Sequence, residues 1–120
     1  MTEPSYSGTF MTWAGPLLNL VIDGPRSSIE SALKIATATW NAVTLEDAGL
    51  SPGAIKEVRQ QLATLPPPGP QLFGEVVSAL IESRRTEFAE ANWTVGKCEI
   101  RGQGAKSRIY LEAQAIPSRG

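Results

Sequence analysis

Few kinds of side chain in this sequence could do chemistry. There is no histidine, and the single cysteine is Cys98. Without histidine the usual Ser-His-Asp and Cys-His nucleophile pairs are excluded, together with the common imidazole metal ligands. One thiol cannot make a thiolate zinc site or an intrachain disulfide framework. Neither G-x-x-x-x-G-K-[ST] nor G-x-G-x-x-G occurs. Gly102-Gln103-Gly104 is a lone G-x-G followed by a strand pattern, so it suits a turn with positive φ rather than a phosphate loop.

Carboxylates and basic residues remain. Glu46 and Asp47 are adjacent acids at the end of a helical pattern, where they oppose the helix macrodipole. A divalent-metal role would need a further carboxylate that their spacing does not supply. An enzyme would need carboxylates alone, such as Glu46, Asp47 or Glu99, and ranks third among the readings. The expectation is no enzyme, no cofactor and no metal. Arg101, Lys106, Arg108 and Tyr110 surround a hairpin turn, and basic residues beside an aromatic on a β-ribbon can contact phosphates and stack a base. Glu99 and Glu112 share that face and weaken its field. Arg84 and Arg85 could form an anion-contact site, but a solvated helix end with an Arg84–Glu87 ion pair is preferred. Cys98 lies on the apolar face of a strand and suits a small buried hydrophobe.

The element that must position these groups is a helix over residues 71–91. At 100° per residue, Phe73, Val76, Val77, Leu80, Ile81, Phe88 and Ala91 fall in one stripe, with Glu75, Ser78, Glu82 and Thr86 opposite. Pro70 fits its first turn. Residues 93–101 and 108–116 alternate as two strands, with Ile109, Leu111, Ala113 and Ala115 on one face. A two-stranded sheet is marginal alone, so a third strand is expected from residues 9–13 or from another subunit. Residues 1–8 form a frayed tail, and 16–22 a short helix started by Pro16.

Ser27 and Glu30 match a capping box that opens a helix over 28–48, closed by Gly49. Its apolar residues make two stripes: Ile29, Ala32, Leu33, Ala36, Trp40 and Val43, then Ile35, Ala38, Ala42 and Leu45. Such a helix is either central to the monomer or meets a second chain along one flank. Ile35, Trp40 and Leu45 are the candidate interface residues, although Trp40 also suits the core if its indole N–H finds a partner. Ser51-Pro52 should start the next helix as N-cap and first residue, with Ile55, Val58, Leu62 and Leu65 as its stripe. Residues 66–70, PPPGP, end it as a stiff connector.

With 120 residues, 42% hydrophobic and 19% charged, the chain is expected to be one α+β domain spanning 1–120. It combines two to three N-terminal helices, a long amphipathic helix and a C-terminal antiparallel β-hairpin. Net charge is −1. Residues 1–83 hold four basic residues against eight acids, a net of −4, and 84–120 hold seven against four, a net of +3. No apolar run approaches the ~18 residues of a membrane span. The early acid in MTEPSYSGTF argues against a secretory signal, so the cytoplasm is the expected location. Ala, Gly, Pro and Arg usage suits a bacterial or phage chain. The expected function is a non-enzymatic protein-interaction module: an accessory or regulatory subunit, or a small phage-type inhibitor, forming a homodimer. The alternative is nucleic-acid binding through the basic hairpin.

Overall fold

The computed structural model describes residues 6–65, 69–89, 91–103 and 108–115, without the side chains of Ser7 and Arg108. The chain is α+β, with four helices followed by a two-stranded antiparallel hairpin: α1 Tyr6–Asn19, α2 Arg26–Asp47, α3 Ala54–Ala63, α4 Gly69–Thr86, β1 Trp93–Arg101 and β2 Arg108–Ala115.

The N-terminal segment corrects the sequence expectation. Residues 6–8 are helical rather than part of a tail, and 9–13 are helix rather than strand. The buried residues of α1 are Phe10, Trp13, Ala14, Leu17 and Leu18, spaced i, i+3, i+4, i+7, i+8. Pro16 lies inside this helix instead of starting one. It is on the exposed face, where water can satisfy the Thr12 carbonyl left by its missing N–H. The apolar stripe therefore outweighs the break that Pro16 suggests.

Helix α2 is the centre of the monomer. Ala32, Leu33, Ala36 and Trp40 pack with α1, Leu80 and the hairpin residues Trp93 and Val95. Ala42 and Val43 pack with α3 and with Val77 and Ile81 of α4, while Ile35 and Ala38 border that second cluster. The two stripes thus meet two intramolecular partners. The capping box is not formed: α2 starts after Pro25, no side chain caps it, and the Pro25 carbonyl accepts from the Ser28 and Ile29 amides. At the other end Gly49 behaves as expected. Its φ of 75° lets the Leu50 amide reach the Leu45 carbonyl at 2.9 Å and its own amide reach Glu46 at 3.0 Å. Ser51-Pro52 does not open α3. The cap is Gly53, at φ 83°, whose amide donates to Glu46 Oε1 at 3.1 Å. Residues 66–68 lie outside the described residues. Helix α4 ends at Thr86, before Phe88 and Ala91, which still pack on the core from the following turn.

The hairpin has an irregularity that alternation alone hides. The register pairs Val95 with Ala113 and Lys97 with Glu112, leaving Gly96 as an extra residue. This bulge switches the parity of β1, so Trp93 and Val95 face the same core as Cys98 and Ile100. The sheet has two strands among the described residues, and the helices supply what a third strand would have covered.

Candidate interaction site

Trp40 is fully buried. Its indole N–H donates to the Trp93 carbonyl at 2.8 Å, and its ring meets Trp93 at 4.5 Å and Trp13 at 5.1 Å between centroids. A side chain so placed cannot meet a partner in the folded protein, so it leaves the candidate interface. Trp13 plays the matching role for α1, donating to the Leu80 carbonyl at 2.9 Å.

Ile35 and Leu45 are half-buried. Ile35 and Ala38 of α2 and Val58, Leu62 and Leu65 at and beyond α3 line an open groove of about 280 Å³, with Lys34, Gln61 and Thr64 at its rim. Its volume falls just below the ~300 Å³ at which small-molecule pockets begin. Its lining is mainly apolar. Leu45 does not line it, so the two candidate residues are not brought together.

Arg84 and Arg85 have opposite environments. Arg84 is 3% exposed. Its guanidinium lies 4.2 Å from the Trp40 ring centroid. It donates to the carbonyl of Phe88, to that of Ala91 at 2.7 Å and to Thr44 Oγ1 at 2.6 Å. Burial lowers its pKa, and the Asp47 charge partly offsets this. The expected ion pair with Glu87 is absent: Ser83 holds Glu87, and the amphipathic stripe carries Arg84 inward. With its fork engaged by the turn that follows α4, Arg84 is an anchor rather than an open anion site. Arg85 is exposed and meets Asp47 bidentately at 2.8 and 3.1 Å, with Glu46 at 3.4 Å. This explains two acids at the end of α2, since the arginine compensates their conflict with the helix dipole. No group of three metal-ligating side chains occurs among the described residues.

On the hairpin, Arg101 is held by Glu99 at 2.6 Å and lies 3.6 Å from the Tyr110 ring centroid. Tyr110 donates its hydroxyl to Glu112, which raises the phenol pKa, while the Arg101 hydrogen bond lowers that of Glu99. Lys106 and the side chain of Arg108 lie outside the described residues. Cys98 is half-buried, and desolvation raises its thiol pKa.

Sequence reasoning missed the role of Asn41. Its side-chain amide accepts from the Val95 amide at 2.7 Å and donates to the Val95 carbonyl at 2.8 Å, as a neighbouring strand would. Arg26 continues this along β1, donating to the carbonyls of Ile100 at 2.7 Å and Gly102 at 2.9 Å. Asn41 is one of several polar residues along α2, so no local pattern marked it.

Comparisons with protein-family models, with curated proteins and with solved structures found no match. Among the described residues, no helix is long and apolar enough to cross a membrane.

Proposed function

We propose that this protein is a non-enzymatic interaction module, an accessory or inhibitory subunit. It receives an amphipathic helix of a partner protein in the groove between α2 and α3. The observation that carries this reading is the half-buried Ile35 in an apolar groove open to solvent at its mouth. An apolar stripe on the partner would fill the space around Ile35 and Leu62, and an acidic flank would meet Lys34 at the rim.

The reading is tested with wild type and Ile35→Glu as paired baits in the native host. A specific partner should be captured by wild type and lost with Ile35→Glu, while Glu75→Ala, outside the groove lining, retains it. Nuclear magnetic resonance shifts caused by that partner should centre on Ile35, Ala38 and Leu62. Capture unaffected by Ile35→Glu, with shifts elsewhere, would refute the reading.

Nucleic-acid binding through the hairpin draws less support. Arg101 and Tyr110 are both engaged by glutamates of the same sheet face, so phosphates would have to compete with fixed carboxylates. The absence of salt-dependent DNA or RNA binding by wild type at low ionic strength would dispose of it.

A further inference from the structure

The two edges of the hairpin are treated differently. On β1 and just past its end, Val95, Ile100 and Gly102 turn backbone groups away from β2, and Asn41 and Arg26 satisfy groups on all three. In an antiparallel pair, residues opposite each other share the direction of their backbone groups. Val95 pairs with Ala113 and Ile100 with Ile109. The amides and carbonyls of Ile109, Leu111 and Ala113 therefore point away from β1. Among the described residues no hydrogen bond meets them there. Strand β2 carries no proline, and the bulge lies on the other strand, so two of the usual protections of an open edge are lacking.

We propose that this edge pairs with the same edge of a second copy, antiparallel about a two-fold axis at Leu111, giving a four-stranded sheet. The occupant follows from self-complementarity. About that axis Leu111 faces its own copy, Ile109 faces Ala113, Tyr110 faces Glu112 and Arg108 faces Gln114. No like charges oppose each other, and both apolar faces become continuous. The three outward residues would exchange about six hydrogen bonds with their counterparts. A slip of the axis to Glu112 sets that carboxylate against its copy. Shifting the pairing sum by one residue sets outward groups against inward ones. This self-pairing is independent of the α2–α3 groove.

Light scattering across a concentration series to about 1 mM, where even a dimer with millimolar Kd is visible, tests the proposal. Wild type should rise from the 12.8 kDa of one chain toward twice that mass. Ala113→Pro removes an outward N–H that the hairpin ladder does not use, and should stay at one chain with the near-ultraviolet tryptophan spectrum of wild type. Ile35→Glu should still dimerise, even where it has lost a groove partner. Wild type that remains a single chain throughout, or a folded Ala113→Pro that remains dimeric, overturns the proposal. Should Ala113→Pro fail to fold, amide hydrogen exchange on wild type decides. Protection of Ile109, Leu111 and Ala113 must grow with protein concentration. Protection that does not change, or that grows only when a different protein is added, overturns self-pairing, and the latter outcome would point to a foreign strand.

Discussion

Replacing Arg84 puts the interior of the protein to its sharpest test. Two opposed outcomes are physically reasonable, and the structure favours one. A buried cation without a carboxylate in contact is costly to desolvate, and an apolar substitute of similar length can stabilise such a site. Against this, the Arg84 guanidinium meets the carbonyls of Phe88 and Ala91 and the Thr44 hydroxyl, and lies over Trp40. Hydrogen bonds from a charged donor contribute about 1.5–3 kcal/mol each, and a desolvated cation–π contact about 2 kcal/mol, with little additivity in such a knot. The same fork connects α2 through Thr44 to the turn that leads into β1. Arg84→Ala is therefore expected to cost about 3–5 kcal/mol, out of a total near 5–15 kcal/mol for a domain of ordinary stability. At roughly 3–5 °C per kcal/mol for this size, the melting point falls by about 9–25 °C. Thermal and urea unfolding followed by circular dichroism measure it, with Arg84→Lys and Arg84→Met alongside. Lysine keeps the charge but loses the fork, and should recover only a minor part. A Met variant as stable as wild type would refute the reasoning, showing that the charge is a liability the fold merely tolerates. Arg85→Ala, which breaks a pair held by an exposed arginine, should cost less than about 1 kcal/mol.

Other substitutions probe separate parts of the structure. Leu80→Asp places an unpaired charge at a site 1% exposed and should abolish cooperative unfolding; a melt within a few degrees of wild type would show that Leu80 is not core. Asn41→Ala leaves the Val95 amide and carbonyl without their partner and should cost about 1–3 kcal/mol, with faster amide exchange at Val95 as the diagnostic readout. Because burial raises the Cys98 thiol pKa, alkylation by iodoacetamide at pH 8 should be far slower in the native protein than in urea; equal rates would contradict the placement of Cys98 against the core.

Much of the architecture is written in periodicity. The two stripes of α2, the single stripe of α4, the alternation of β2 and the glycine closing α2 are local patterns, and each leads to the observed element. Helix α1 was legible as well, since Phe10, Trp13, Ala14, Leu17 and Leu18 have helical spacing. Pro16 obscures it only if a proline is taken to end every helix. Gly53 could not be chosen over Ser51-Pro52 from sequence, because its cap depends on Glu46 of the preceding helix.

What the sequence determined by itself is the class: α+β, with helices before a C-terminal hairpin, and the absence of histidine- and multi-cysteine-based sites. Tertiary structure alone decided which polar groups are occupied. Arg84 looks like a solvated helix end until the α4 stripe turns it onto Trp40. Arg101 and Tyr110 look like an open basic patch until Glu99 and Glu112 are placed beside them. The two edges of the hairpin look equivalent until α2 lies along one of them. The physical reason is range. Hydrophobic period is set within a few residues, whereas the partner of a hydrogen-bonding group can be anywhere in the chain. Asn41 and Val95 are 54 positions apart, and nothing short of the folded core brings them within 3 Å.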